Sequence, residues 1–250
     1  MTTPPCSSHT VSDVLERFDA YQSRLLASAG NDPAALRYVV RHRRRMRELA
    51  GLVAPLAPPS GRLCDVGVGH YSFVWPEVFP QLQVVLADCS RHAAQSATAH
   101  GLTFVQVDLE TDRLAQRLPE PVDLLIFTEV LEHLQAPPRE ILADLAACLA
   151  PGGHLVLSTP NFLSVGAWGR LLRGRNPAAW PERRGPDPNR HVREYTMREL
   201  RSLVPAGLKC RTTRFSDCWD TERRAAVRIL GRLFPSLRSN MLLVLRRPQS

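Results

Sequence analysis

The sequence has almost no lysine. Lys209 is the single lysine among 32 basic Lys and Arg residues, so arginine carries nearly all of the positive charge. Because the acidic residues number 24, the formal net charge is +8. A positive excess attracts acidic partners such as RNA. An arginine-rich composition of the source accounts for the same excess, so the charge by itself leaves the partner open.

Apolar runs long enough to cross a bilayer are also missing, and the start of the chain has no basic stretch followed by an apolar one. We therefore predict a cytoplasmic protein without a membrane span. The six cysteines include no Cys-x-x-Cys pair, and this spacing argues against a disulfide framework or a zinc ribbon. A chain of 250 residues is long enough for one hydrophobic core and a cap.

Residues 1–59 are predicted to be an N-terminal tail followed by a helical cap. Apolar residues recur at helical spacing over 11–30 and 33–54, which predicts two helices. The second helix contains the run RHRRRMR, from Arg41 to Arg47. Such a run is usually a solvated helix face, and binding of an anionic substrate is the alternative. A proline-rich joint at 54–61 leads into the main domain.

Residues 60–250 are predicted to form an α/β domain, because short apolar runs alternate with helical segments and so favour a parallel sheet. The predicted strands are 62–67, 83–88, 103–108, 122–128 and 153–159, followed by two later strands, LKCRTTRFS and NMLLVLRRP, that pair antiparallel at the sheet edge. The segment 162–192 interrupts the alternation and is rich in Gly, Pro, Arg and Trp. A segment of this length at the carboxyl end of a strand is typical of a lid.

Acidic residues stand at or beside the ends of the first four strands. Asp65 begins the segment Asp-Val-Gly-Val-Gly, which contains Gly67 and Gly69. Asp88 follows about twenty residues later, at the position where an acid binds a ribose diol. The other two acids are Asp108 and Glu129. A pyrophosphate is disfavoured among so many carboxylates. A cofactor with positive charge and no phosphate suits them, and S-adenosylmethionine has these properties.

With these motifs the chain resembles the class I S-adenosylmethionine-dependent methyltransferases, in particular the type 11 and ubiquinone-biosynthesis O-methyltransferases. The resemblance extends over residues 60–250 and rests on LCDVGVGH, VLADCS, FVQVDLETD, VDLLIFTEVLEHL, LAPGGHLVLSTPN and HVREYTMRELRSLVPAGL, in this order. It implies a Rossmann-like, seven-stranded, mostly parallel sheet with helices on both faces and an antiparallel last strand. Tyr71, in place of a third glycine, is a departure from the family pattern.

The resemblance also implies a role for each strand end. Asp65 and the backbone of Gly67 and Gly69 would hold the methionine part of S-adenosylmethionine. Asp88, with Cys89 beside it, would bind the ribose. Asp108 and the Leu109 amide would bind the adenine. Glu129 and its neighbours would line the methyl-transfer side.

We expect methyl transfer to a small-molecule acceptor, most simply at oxygen, with His133 and His191 as candidate bases. One alternative comes from Glu129, Glu132 and His133, at helical spacing, together with His191. This set resembles the metal site of small-RNA 3′-terminal 2′-O-methyltransferases, although the same residues also occur in metal-free relatives. A second alternative is a methyltransferase fold that only binds a ligand or partner. The sequence does not indicate an oligomeric state.

Overall fold

A computed structural model describes residues 10–28, 32–177, 190–217 and 225–249. The strands of its sheet are β1 (Gly61–Val66), β2 (Leu82–Asp88), β3 (Thr103–Gln106), β4 (Val122–Thr128), β5 (Leu149–Pro160), β6 (Lys209–Ser216) and β7 (Asn240–Arg246). Their order across the sheet is β3-β2-β1-β4-β5-β7-β6. Only β7 runs antiparallel to its neighbours β5 and β6 within this described sheet. The predicted seven-stranded, mostly parallel sheet is therefore confirmed.

The helices are α1 (Val11–Ser28), α2 (Pro33–Val53), α3 (Trp75–Val78), α4 (Arg91–Ala99), α5 (Leu114–Arg117), α6 (Pro138–Ala147), α7 (Val165–Leu171), α8 (Met197–Leu203) and α9 (Ala225–Leu233). Helices α1 and α2 form the predicted N-terminal cap and pack on each other. Thr196 and Glu199 form the reciprocal capping box at the start of α8. None of the described helices is both long and apolar enough to cross a membrane.

Helices cover both faces of the sheet, because side chains along each strand alternate between two cores. On one face Leu63, Leu124 and Ile126 pack in one cluster with Phe18 of α1 and Leu49 of α2. The other face is covered differently: neighbouring strand residues point into a second cluster that contains α6 side chains, among them Cys64, Leu125, Phe127, Ile141 and Leu145. The cap is therefore part of the first core and lies against the sheet.

Tyr71 attaches the turn after β1 to this cap. Its hydroxyl donates a hydrogen bond to the Val39 carbonyl at 2.8 Å and accepts one from the Gln22 side-chain amide nitrogen, Nε2, at 3.2 Å. Its ring stacks on Phe18 with centroids 5.8 Å apart. The side chain that replaces the third glycine thus binds α1 and α2.

Two segments differ from the sequence-based expectation. Glu129 was predicted to begin a helix with Glu132 and His133, but it has a φ of 57° and only Leu131–His133 form a short 3-10 helix. The physical reason is that the Glu129 amide donates to the Ser158 carbonyl, so the chain follows the sheet to this residue before it turns. The predicted lid contains α7 in its first half, and residues 178–189, with Trp180, lie outside the described residues.

Replacing Tyr71 with Phe should lower the free energy of unfolding by about 1–2 kcal/mol, because the buried amide of Gln22 loses its hydrogen-bond partner. Urea unfolding of the variant measures this loss. Tyr21→Phe is the matched control, since the Tyr21 hydroxyl makes a longer bond of 3.3 Å to the His70 carbonyl at an exposed position. Equal losses in the two variants would contradict the role assigned to Tyr71.

Candidate functional site

The carboxyl ends of β1, β2, β3 and β4 lie side by side, so the predicted acids share one edge of the sheet. The turn after β1 requires glycine at Gly67, which has a φ of +88°. A Cβ atom there would lie 2.3 Å from Val130 Cγ2. The Gly67 amide donates to the Ala87 carbonyl at 3.0 Å, which continues the strand pairing into the turn. Glycine at this position therefore lets the turn pack against Val130 while the backbone takes a positive φ.

Asp88 lies at the end of β2, directly beside this turn. Its Oδ2 accepts a hydrogen bond from the Val68 amide and its Oδ1 accepts one from the Ser90 amide, both at 2.7 Å. Because a carboxylate has about four lone-pair sites, each oxygen of Asp88 can accept another hydrogen bond. The residue therefore fits the binding of two vicinal hydroxyl groups, as the ribose of S-adenosylmethionine requires.

The residues after β3 bring Asp108 and Leu109 to the far side of the same edge, and Cys89 directly follows Asp88 after β2. Asp108 is exposed, and its Oδ1 accepts a hydrogen bond from the Glu110 amide at 3.0 Å. The Leu109 side chain is buried, whereas Cys89 is exposed beside Asp88. An exposed carboxylate next to an apolar side chain fits an adenine ring with an exocyclic amine.

Asp65 takes a different position, inside the protein. The indole Nε1 of Trp75 donates to Asp65 Oδ2 at 2.8 Å, and the whole residue is only 4% exposed. Burial raises the pKa of Asp65 to about 6, against the lowering effect of hydrogen bonds from Trp75 and Ser72. The structure therefore anchors Asp65 to α3, beneath the residues that face solvent at this edge.

Glu129 is held by three partners. Arg45 Nη1 lies 2.8 Å from Glu129 Oε2, and both side chains are largely buried. The other carboxylate oxygen, Oε1, accepts hydrogen bonds from Ser158 Oγ at 2.6 Å and from Asn240 Nδ2 at 2.8 Å. Glu129 thus joins β4 to the cap, to β5 and to β7.

Arg45 is a residue of this site that the sequence reasoning missed. It lies within the arginine run of α2, whose side chains were expected to form a solvated helix face. The signal was present in the helical spacing, because His42 and Leu49, three residues before and four after Arg45, are buried on the same face. Periodicity within the run separates this buried arginine from its exposed neighbours.

Two aromatic rings of α2 extend the same face over the glycine turn. Tyr38 packs on His42 and His70, with ring centroids 4.4 Å and 5.0 Å away, and its hydroxyl lies 3.2 Å from where a Cβ of Gly69 would stand. Burial, followed by the charges of Arg45 and Arg41, lowers the pKa of His42 to about 3. His42 is therefore a neutral imidazole at physiological pH.

Glu132, His133 and His191 come together on the other side of β4. One ligand atom from each lies within 4.8 Å of those of the other two. His133 Nδ1 lies 2.9 Å from the Arg190 carbonyl, and His191 Nδ1 lies 2.9 Å from Glu194 Oε1. Both partners can only accept, so Nε2 is the basic nitrogen of each ring. Glu129 is outside this group, since its carboxylate binds Arg45.

Glu132 is almost completely buried. Thr159 Oγ1 donates to its Oε2 at 3.0 Å, and its Oε1 has no hydrogen-bond partner in the described structure. Burial, with the charge of Glu129 as the next cause, raises the pKa of Glu132 well above its usual range. The Glu132 carbonyl also accepts hydrogen bonds from the Val192 and Arg193 amides, which ties the end of the lid segment to this group.

The sheet order and the residues at its carboxyl edge define a Rossmann-like methyltransferase fold, and comparisons with known proteins agree. A family model described as a methyltransferase domain matches residues 40–210, and the chain belongs to this family. The predicted class, S-adenosylmethionine-dependent methyltransferases, is thereby confirmed. The cap helix from residue 40 onwards lies within the matched range.

Curated relatives are methyltransferases with different acceptors in their names. The chain is 32% identical to the tRNA 5-carboxymethoxyuridine methyltransferase of Escherichia coli over 46% of each chain, so it spans about half the length of this relative. It is 34% identical to the ubiquinone biosynthesis O-methyltransferase of Xanthomonas campestris over 44% of this chain and 47% of that one. The trans-aconitate 2-methyltransferase of Acidovorax is 28% identical over 77% of this chain and 72% of that one.

Solved structures share the fold at low sequence identity. An N-methyltransferase from Bradyrhizobium japonicum, in complex with S-adenosyl-L-homocysteine, has a TM-score of 0.55 at 16% identity and covers 93% of this chain and 99% of that one. A SAM-dependent methyltransferase from Archaeoglobus fulgidus has a TM-score of 0.54 at 15% identity, with 84% and 94% covered.

The raised pKa of Asp65 makes stability depend on pH. An aspartate is usually half-protonated at pH 3.8, whereas Asp65 has a pKa of about 6 in the fold, so the protonated form is favoured by folding. Its contribution is fully present below pH 3.8 and is lost as the pH rises through 6. Asp65→Asn should therefore gain about 2–3 kcal/mol over the wild type between pH 4 and pH 7.

Chemical unfolding across this pH range measures the difference between the two proteins. Trp75→Phe tests the cause, because removing the indole donor should raise the pKa of Asp65 and move the upper end of the transition above pH 6. A wild-type and Asp65→Asn pair with parallel stability profiles would show that Asp65 ionises normally.

Proposed function

We propose that this protein transfers a methyl group from S-adenosylmethionine to a small-molecule acceptor at an oxygen atom. The observation that carries the proposal is the Asp88 carboxylate beside the Gly67 turn, with a lone pair on each oxygen able to accept a ribose hydroxyl. When bound, S-adenosylmethionine supplies an electrophilic methyl group on a sulfonium.

In this proposal, the residues at the strand ends bind different parts of the cofactor. Asp88, with Cys89 beside it, binds the ribose, while Asp108 and the Leu109 amide receive the adenine. The backbone of Gly67 and Gly69 would hold the methionine part, at the turn over which Tyr38 of α2 packs. Asp65 acts from beneath by fixing the turn through Trp75. The Glu129 carboxylate supports the methyl-transfer side.

Transfer to a hydroxyl oxygen benefits from a base that takes its proton. His133 and His191 are the candidates, because the Arg190 carbonyl and the Glu194 carboxylate fix their tautomers and leave Nε2 as the basic atom of each ring. The two rings lie 5.0 Å apart in an edge arrangement. In an in-line transfer, aligning the acceptor and excluding water are the larger part of the protein's work.

A second candidate function is metal-dependent 2′-O-methylation at the 3′ end of RNA. The observation that favours it is the group of Glu132, His133 and His191. Two imidazoles and one carboxylate suit a divalent transition metal, which would bind the ribose hydroxyls and activate one of them. The net charge of +8 agrees with an RNA substrate. Glu129 would be a ligand only after release from Arg45.

Asp88→Ala is expected to weaken binding of S-adenosylhomocysteine about a hundredfold, because it removes two charge-assisted hydrogen bonds to the ribose. Isothermal titration calorimetry measures the affinity. Glu120→Ala is the control, since this exposed acid precedes β4 at the opposite edge of the sheet and pairs with Arg62. Wild-type protein that binds no S-adenosylhomocysteine would contradict the proposed function.

Metal analysis separates the two candidates. If the histidines act as bases, methyl transfer to phenols or sugars continues in the presence of a chelator, and His133→Ala lowers kcat with little effect on cofactor affinity. The RNA function instead requires about one metal ion per purified chain, lost in His191→Ala, and chelator-sensitive methylation of RNA 3′ ends. Full activity on RNA in chelator would exclude the second candidate.

A further inference from the structure

A cavity of about 450 Å³ lies between the cap and the far end of the sheet. Helices α1 and α2 form one side, and strands β6 and β7 form the other. Arginines enter it from both sides: Arg44 and Arg47 come from α2, Arg214 from β6 and Arg238 from the residues before β7. The volume is within the usual range for small-molecule sites.

The arginines that line this cavity outnumber the acidic side chains that pair with them. Glu48 binds Arg44 at 3.0 Å, Asp19 binds Arg47 at 3.0 Å, and Asp217 lies 3.7 Å from Arg238. Arg214 has no ion-pair partner among the described residues, although it stands on a strand that faces the cavity. One guanidinium is therefore left to pair with an anion from outside the protein.

Ser216 provides a second, independent indication of a ligand. Its side chain lines the cavity and the residue is only 3% exposed. Its buried hydroxyl makes no hydrogen bond within the described structure. Since an unsatisfied buried polar group destabilises a fold, a ligand oxygen is the natural partner for this hydroxyl.

Strand register connects the cavity to the site around Glu129. Ser216 of β6 is paired with Asn240 of β7, and Arg214 is paired with Leu242, so these side chains share one face of the sheet. Asn240 Nδ2 donates to Glu129 at 2.8 Å, and Arg45, the neighbour of Arg44, pairs with the same carboxylate. Through Asn240 and Arg45, the strand and the helix that line the cavity are thus in contact with Glu129 at the end of β4.

We propose that this cavity binds the oxyanion group of the acceptor, which makes the substrate a small molecule that carries a carboxylate or a phosphate. The inference rests on the proposed methyl-transfer function and deepens it. Arg214 pairs with the oxyanion in the two-pronged geometry that guanidinium favours, and the Ser216 hydroxyl donates a further bond. Ser216 is paired with Asn240, whose amide donates to Glu129, so the bound oxyanion would lie next to the residues that hold Glu129.

The test uses the full-length protein saturated with S-adenosylhomocysteine and three probes: trans-aconitate, glucose 6-phosphate and the uncharged phenol catechol. Calorimetry should detect binding of trans-aconitate or glucose 6-phosphate, and the stronger of the two identifies the source of the oxyanion. Arg214→Gln should weaken that binding about tenfold or more, because a charged hydrogen-bonding partner is lost. Arg211→Gln, on the same strand but outside the cavity lining, should bind like the wild type.

Ser216→Ala distinguishes ligand binding from a structural role. Removing an unpartnered buried hydroxyl should leave the thermal stability of the ligand-free protein unchanged or raised, and should still weaken binding of the anionic probe severalfold. Catechol binding without anion binding, or equal anion binding by wild type and Arg214→Gln, would overturn the inference. Loss of S-adenosylhomocysteine binding in the wild type is a different result, since it removes the proposed function itself.

Discussion

The buried ion pair between Arg45 and Glu129 determines how the cap meets the sheet. Glu129 adopts a left-handed backbone conformation, which costs a residue with a side chain about 1–3 kcal/mol. That conformation places its carboxylate where Arg45, Ser158 and Asn240 all reach it. Removing one partner of a buried ion pair typically costs about 3–5 kcal/mol, because the remaining charge stays buried. The strained backbone of Glu129 is therefore stabilised by the ion pair, and the buried charge of Arg45 depends on that backbone conformation for its partner.

Ion pairing and burial leave only some of the strand-end acids available to a ligand. Glu129 is paired with Arg45, and Asp65 is buried against Trp75, so both carboxylates are withdrawn from the solvent at this edge. Asp88 and Asp108 keep partly exposed carboxylates. The negative charge at this edge is consequently concentrated on the β2 and β3 side, where the ribose and adenine of the cofactor would lie. The β6 and β7 side is lined by arginine.

Much of the fold follows from the sequence because periodicity and strand-end chemistry are local signals. Continuous apolar runs indicated the parallel strands, and the acids that follow them had to share one edge once the strands were parallel. The position of Asp88 beside the glycine turn was predictable for this reason. The family resemblance added the strand number and the antiparallel last strand.

The rest depends on contacts between segments far apart in the chain. The spacing of Glu129, Glu132 and His133 predicted one helical face, but the hydrogen bond from the Glu129 amide to Ser158 breaks that pattern. Arg45 was missed because it lies in a run of arginines, which was interpreted from its composition and not from the helical spacing of its members. The cavity next to Arg214 is formed by α2, near residue 47, and by β6 and β7, beyond residue 208. These elements are far apart in the sequence, so no local motif indicates that they meet.

In addition to the shared core, polar contacts tie the cap to the carboxyl edge of the sheet, and their positions restrict how an acceptor approaches. Tyr71 ties the cap to the turn after β1, and Arg45 ties it to the end of β4. Tyr38 and His42 fill the space between these points with packed rings. An acceptor that entered over β1 would have to separate these contacts, whereas the β6 and β7 end already has an open, arginine-lined volume. Binding of an anion at that end would disturb neither attachment, because Tyr71, Arg45 and Glu129 are not among the residues that line this volume.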